Sequence, residues 1–457
     1  MIESNKLTGE YATLSYCWGG DQRIVLTRKT YDEFLNGVSL DSLPQTIRDA
    51  IKVTRKLGLK YLWIDALCII QDSQDDKLRE IGQMEAVYYN SYITISAASA
   101  TSTSVGFLHP RPPLHVQPLE LPLRLHLGSE IATSIMYEES QLPAFEARNN
   151  PIEQRGWTLQ EKLLSRRVLI YGAARLQWMC RSVPVDAGYS EVLQGSFFIN
   201  TQEPECSSGD GTRNSGQRLK LYAGWEKTIM ELTGRALTYP EDALHAVAGI
   251  AAKYQKEIQD DYVAGLWRGV LVRELLWHRT LEHKREKVPP RPSRYIAPSW
   301  SWASCQGQIS FPVTEQDAVM STVVIKDCSV RLMNDAIKFG DIIDGYVIVC
   351  AEVTMARMVS IGLFDPEPQA DTMWGYVHID AQEDVQNNFR RSRTVVSEFD
   401  IVTCIRLSQE QGLVLKQVND NKYTRESISK VYQRIGHFQS CNQGWPSDCK
   451  KEEIVIV

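Results

Sequence analysis

The chain has 457 residues, of which 43% are hydrophobic and 23% charged, with a formal net charge of −6. At roughly 150 residues per domain this length implies two or three compact units, and the composition excludes a fibrous or disordered chain. The acidic balance excludes nucleic acid as a partner held by bulk charge.

Ten cysteines are scattered without a CxxC pair, as free thiols in a reducing compartment would be. The opening MIESNKLTGEYATLSY lacks the basic segment and apolar run of a signal peptide. No stretch approaches the ~18 apolar residues that span a bilayer. These features predict a cytoplasmic protein with no membrane span.

Short apolar runs alternate with helical patterns over the first third, the mark of βαβ units and a parallel sheet. YATLSY (Tyr11 to Tyr16) reads as a strand. Pro44 can open a helix in which Ile47, Ala50, Ile51, Thr54 and Leu57 recur at helical spacing before Gly58. YLWIDALCII (Tyr61 to Ile70) reads as a strand buried on both faces. A second helix carries Leu78, Ile81, Met84 and Tyr88 on one face, followed by a strand at YITISAA (Tyr92 to Ala98). Two more strands are expected at RVLIY (Arg167 to Tyr171) and RLQWM (Arg175 to Met179). Between them lies an insertion, about 106–150, with ELPLRLHL and IATSIMY as a hairpin, long enough to lie over the sheet edge or the site.

CSSGDGTRNSGQ (Cys206 to Gln217) reads as a loop, and helical patterning dominates from Tyr222 to about His283. EHKREKVPPRPSR (Glu282 to Arg294) is a basic, proline-broken connector whose simplest role is a solvated linker. Trp300 and Trp302 of PSWSWAS share a face of an extended segment and are assigned to interdomain packing. From Val323 onward the runs are short and β-rich.

Five ordered segments resemble the fungal heterokaryon-incompatibility (HET) domain family: YATLSYCWGG, LPQTIRDAI, YLWIDALCIIQDSQDDK, EIGQMEAVYYNSYITISAA and RGWTLQEKLLSRRVLIY. The resemblance continues weakly in RALTYPEDALHAVAGIA, YVAGLW, RYIAPSWSWAS and YQRIGHF. Agreement over many spaced segments is far more specific than one short motif. The sequence departs from the family in two places. Its first strand begins within a dozen residues of Met1, which implies that an upstream regulatory region is missing or was never present. The acid expected soon after the W-x-C element is replaced by RSVPVDAGY after Trp178-Met179-Cys180.

The resemblance implies a role in programmed cell death when unlike hyphae fuse, with self-association on activation and a recognition partner protein. It also implies a fold distantly similar to Toll/interleukin receptor (TIR) domains, many of which cleave NAD at its nicotinamide bond. The expected architecture is therefore α/β: a TIR-like, mostly parallel sheet with flanking helices over 1–182, a mainly helical region over 183–310 and a β-rich domain over 311–457. No cofactor is implied, NAD being the substrate.

Nicotinamide leaves NAD as a neutral molecule and needs no general acid, so one carboxylate that stabilises an oxocarbenium-like ribosyl group can suffice. In TIR enzymes it is a glutamate in a W-C-x-x-E element on a helix. Here W-T-L-Q-E places Glu161 four residues after Trp157, on one helix face. The same letters also spell a capping box, in which Thr158 caps the helix and Glu161 returns a bond to its amide. Both roles stay open.

Asp65 interrupts an apolar run near the carboxyl end of a parallel strand, the edge where open α/β sheets bind ligands. It is a second candidate catalytic carboxylate, or else a structural Asp partnered by Arg155 or Arg48. Ser15, Tyr16, Cys17, Trp18 and Gly19 also follow a strand and, with Arg155 and Trp157, form the candidate ligand-binding set for a nucleotide. An aromatic there can stack on a base, although core packing is the commoner role. Cys17 has no His near it in sequence, which argues against thiol catalysis. Neither HExxH nor zinc spacing occurs among the histidines and cysteines, so no metal is expected. The competing class is a non-enzymatic cell-death or protein-interaction module.

Overall fold

The computed structural model describes residues 8–111, 119–124, 131–136, 150–181, 215–280, 288–312, 322–334, 337–359, 362–364, 373–382, 400–419, 422, 430–440, 445–446 and 449–457, and divides into two compact units, Met1–Gly209 and Asp210–Val457. The first is mixed α/β with a mostly parallel sheet, and the second contains a large β-rich sheet.

The sheet of the first unit is laid down by β1 (Tyr11–Ser15), β2 (Tyr61–Trp63) and β3 (Ile93–Ser96), in which apolar or small residues alternate with hydroxyl residues in β1 and β3. A period of two sends Ala12, Leu14, Ile93 and Ile95 to one face and Thr13, Ser15, Thr94 and Ser96 to the other. After the short helix α1 (Tyr31–Asn36), α2 (Gln45–Lys56) packs on the first face through Ile47, Ala50 and Val53. The second faces α4 (Gln74–Asn90) and α5 (Gly156–Leu164), which pack on each other.

Helix α4 begins behind Ser73, whose hydroxyl accepts the Asp76 amide, with Asp75 and Asp76 in its first turn where acids suit the dipole. A β4 (Leu119–Arg124) and β5 (Ile131–Met136) pair forms the hairpin expected within the insertion. The remainder of 112–149 lies outside the described residues. Strands β6 (Arg167–Tyr171) and β7 (Leu176–Cys180) complete a five-stranded sheet of order β2-β1-β3-β6-β7, parallel except for β7.

One expected strand is shorter than its apolar run. β2 stops at Trp63, and Asp65–Cys68 forms a single helical turn, α3. The Asp65 carboxylate accepts the Ala66 amide at 2.6 Å, which satisfies a helix-start donor and ends the strand where the side chain turns inward.

In the second unit α6 (Ser215–Thr233) and α7 (His245–Ile258) pair as expected, but the helical reading stops there. Tyr262–Val263 and Leu266–Trp267 form a tight antiparallel pair, β8 and β9, turned by Ala264 and Gly265 at positive φ. Trp300 and Trp302, assigned to interdomain packing, are both buried within this unit, where Trp302 Nε1 donates to the Gly265 carbonyl at 3.0 Å and the Trp300 carbonyl accepts Trp277 Nε1 at 2.9 Å.

Strands β12 (Val324–Leu332), β13 (Ile342–Val359), β14 (Gly362–Phe364), β15 (Met373–Ile379), β16 (Asp400–Arg406), β17 (Gln411–Val418), β18 (Val431–Ser440) and β19 (Lys450–Ile456) follow the small pair of β10 (His278–Arg279) and β11 (Ile309–Ser310). Because β13 pairs with both β14 and β16, the path β13-β14-β15-β18-β17-β16 closes on itself. Closure gives each of those strands a neighbour on both sides over part of its length. Its core holds Ala356, Leu363, Trp374, Cys404, Val414 and Phe438.

Beside this core His278, His378 and His437 stack, with ring centroids 5.0, 5.0 and 5.8 Å apart. Burial, the mutual charges and Arg434 depress His278 to about 4 and His437 well below its ordinary value, while Asp380 partly opposes the burial of His378. A histidine whose folded pKa lies below its unfolded one costs nothing above pH 6.5 and destabilises progressively as pH falls toward 4. Glu226 and Glu274, both raised by burial, run the opposite way, so the useful quantity is a difference. Against His278→Phe, wild-type stability in urea should lose ground by about 3 kcal/mol between pH 7 and 4. A difference independent of pH would refute the neutral stack.

Candidate active site

Strand order β2-β1-β3 reverses direction at β1, and in open α/β sheets such a switch point leaves a crevice at the strands' carboxyl ends. Ser15 ends β1 there, Asp65 follows β2, and Glu161 comes from α5. The fold thus brings the two candidate carboxylates and the Ser15 to Gly19 loop to one place.

Helix α5 starts at Gly156 with Arg155 in the capping position and no side-chain cap bond. That overturns the capping box. Thr158 is the third helical residue, and its hydroxyl donates to the Ile152 and Arg155 carbonyls at 2.6 and 2.8 Å. Glu161 lies a turn further in, where its side chain points at the sheet rather than at the helix start.

Glu161 is only 7% exposed, and its Oε2 has no hydrogen-bond partner among the described residues. Burial pushes its carboxyl up to about 7. The Ser15 hydroxyl opposes that rise, Asp65 adds to it, and Arg155 and the Tyr88 hydroxyl work against it. A carboxyl shifted this far by burial and a second acid is a candidate functional group.

Asp65 is held by three donors: Tyr16 Oη at 2.8 Å and the Ala66 amide at 2.6 Å on Oδ1, and Trp18 Nε1 at 2.9 Å on Oδ2. Burial raises its pKa against those bonds and the Arg155 charge. Its hydrogen-bond donors are thus two aromatic residues of the β1 loop and the Ala66 amide, with the Arg155 charge acting on it as well. Arg155 Nη1 instead donates to the Tyr16 carbonyl, and Arg48 donates to Gln45 Oε1 at 2.8 Å.

Tyr16 belongs to the apolar core on the α2 face, and Trp18 packs half-buried against it. Each presents its polar atom to Asp65, so the loop and the acid fix one another. Burial pushes the Cys17 thiol up, with Glu161 adding and Arg155 opposing, which keeps it protonated and a poor nucleophile. Trp157 is half-buried on α5, four residues before Glu161.

Gly19 adopts φ +72°, and a Cβ there would lie 2.1 Å from Ser102 Cβ. Its bareness lets the β1 loop rest on the loop after β3. That second loop is held by α2, where Thr46 donates to the Ser102 carbonyl at 3.0 Å and Asp49 accepts the Phe107 and Leu108 amides at 3.0 and 3.2 Å. Gly19→Ala should cost about 1–3 kcal/mol from strain and overlap together, read as a fall in thermal midpoint. A loss under about 0.5 kcal/mol would mean that the two loops are not in contact.

Sequence reasoning missed the polar seam beneath Glu161. Thr13 Oγ1 bonds Thr94 Oγ1 at 2.7 Å, Thr94 bonds Ser165, and Ser165 Oγ donates to the Glu161 carbonyl at 2.6 Å. Tyr88, read from its spacing as a core residue, also offers a hydroxyl, which reaches the Leu14 carbonyl at 3.3 Å. The alternating Thr-x-Ser of both strands was the available signal.

Among the described residues, no helix is long and apolar enough to cross a membrane, and the eight cysteines there are free. No curated protein and no solved structure matches the chain. Residues 11–161, from the first residue of β1 to Glu161 itself, match the family model described as Heterokaryon incompatibility protein (HET), a match that supports a HET protein and suggests a role in heterokaryon incompatibility.

Proposed function

We propose that the chain is an effector of fungal heterokaryon incompatibility that drives programmed cell death by hydrolysing the nicotinamide glycosidic bond of NAD when self-associated. The observation that carries this reading is Glu161: a buried carboxyl at the switch point, with no capping duty and one oxygen unsatisfied. Ionised, it stabilises positive charge developing on the ribose as neutral nicotinamide departs. Asp65, pinned by Tyr16, Trp18 and Ala66, orients the loop around it and supplies a second negative charge. A fold similar to TIR domains belongs to the same proposal and is supported by the parallel order around β1.

Self-association gives a reason for the enclosure of Glu161, since assembly that parts the β1 loop from α5 would admit substrate. A partner protein that recognises the unlike cell would supply the trigger. The same 7% exposure also favours a second reading, in which the carboxyl is part of a closed polar core and the unit signals through its surface.

The deciding experiment follows free nicotinamide from NAD with full-length protein, dilute and crosslinked, beside Glu161→Gln. Release by the assembled wild type alone is the expected result. No release in any state, with cell killing intact in Glu161→Gln, would establish the signalling reading instead.

A further inference from the structure

A cavity of about 460 Å³ opens in the second unit, within the range of small-ligand sites. Two stretches remote in sequence line it with positive charge. Arg291 and Arg294 come from the proline-broken connector, which therefore is more than a linker, and Arg331 and Lys422 come from β12 and from beyond β17. Among the described residues Asp344 of β13 is the one acidic side chain in the lining, set against the four cationic side chains.

The arrangement is organised. Arg331 and Lys422 both meet Asp344 Oδ2, and these partners hold its carboxyl below the usual range. Arg291 is anchored by donating to the Arg434 carbonyl at 2.8 Å and to Ser304 Oγ at 3.0 Å, and Arg294 reaches Glu241 at 3.8 Å. Gly345 lets Pro298 lie directly on β13, since a Cβ there would come within 2.8 Å of Pro298 Cγ. That close approach sets the connector's cations opposite those of β12. The remaining wall is apolar and aromatic, with Tyr295 54% and Ile343 42% exposed.

We infer that this cavity binds a nucleotide-like organic polyphosphate, its phosphates among Arg291, Arg294, Arg331 and Lys422 and its planar body against Tyr295 and Ile343. Guanidinium forks suit phosphate oxygens, and an exposed ring beside an apolar wall suits a base face. The inference stands apart from the chemistry proposed for Glu161.

Calorimetric titration of the full chain with ADP, inorganic pyrophosphate, adenosine and a poly-glutamate peptide tests it. ADP should bind tighter than pyrophosphate, and adenosine should not bind. The double variant Arg331→Gln/Lys422→Gln should weaken ADP at least tenfold. Their pairing with Asp344 is half-exposed and so contributes little to folding, and an unchanged thermal midpoint verifies this. The inference is overturned if ADP does not bind at millimolar concentration, or if its affinity is unchanged in the double variant. Equal binding of ADP and pyrophosphate would overturn the base-facing wall, and tighter binding of the acidic peptide would overturn the small-ligand assignment.

Discussion

Glu161→Gln is expected to leave the first unit more stable at pH 8 and, on the proposed NAD chemistry, to abolish release of nicotinamide. The carboxyl titrates near 7 in the folded chain against an ordinary 4.5, a difference of 2.5 units that is equivalent to about 3 kcal/mol. A raised folded pKa places the favourable contribution below the unfolded value and removes it as pH rises through 7. Wild type therefore carries its full penalty at pH 8 and almost none at pH 4. The amide keeps the shape without the charge, so the variant should gain about 1–3 kcal/mol at pH 8 and close to nothing at pH 4, measured by denaturant unfolding. Activity, which needs the ionised form, should decline in wild type as pH falls through 7 and drop by about 100-fold or more in the variant at any pH. Retention of a destabilising, half-unsatisfied acid is what the proposed use of its charge would explain. A variant that is less stable than wild type at pH 8 would contradict the burial account. A variant that is more stable and kills as well as wild type would leave Glu161 a relic of the core.

The parallel sheet of the first unit was legible because β1, β3, β6 and α2 each carry a local signal: alternation in the strands, and spacing closed by Gly58 in the helix. The end of β2 was not, because Leu67 and Ile69 are as apolar in a helical turn as in a strand, and the stop comes from contacts that Asp65 makes with residues 47 and 49 positions away. Glu161 was legible as a candidate through its motif. Its helix start was misread, since Thr158 and Glu161 have capping-box spacing whether or not Thr158 caps, and only the position of Arg155 against the Tyr16 carbonyl decides. The strands of the second unit showed themselves one by one. The closure through β13 and β16 did not, because register between distant strands leaves no local trace. Trp300 and Trp302 were legible as packed residues, but their partners Trp277 and Gly265 left no local trace for the same reason.

Arg434 supplies the largest stability effect expected in the second unit. It stands in YQRIGHF, where nothing in a strand pattern announces a buried cation, yet it and Asp380 are both fully buried. Its Nε donates to Asp380 Oδ2 at 2.8 Å, Nη1 to the Leu275 carbonyl at 2.6 Å and Nη2 to the Trp277 carbonyl, while the guanidinium lies 3.5 Å from the Trp277 ring centroid. One side chain thus ties β18 to the turn after Leu271–Glu274 and to β15's end at Asp380. Arg434→Met should cost about 3–5 kcal/mol, because it strands a buried carboxylate and two carbonyls. Arg434→Lys keeps the charge but not the planar fork, and should recover only part of that loss. The informative variant is the double Arg434→Met/Asp380→Leu. Without the orphaned carboxylate it should be more stable than Arg434→Met alone, yet below wild type, since the Leu275 and Trp277 carbonyls still lack a donor. Urea unfolding followed by tryptophan fluorescence reads all three, Trp277 being the reporter at the pair itself. If Arg434→Met costs under about 1 kcal/mol, the pair does not hold these elements together, and if the double variant is no better than the single one, the damage lies in the lost carbonyl bonds and not in the unpaired charge.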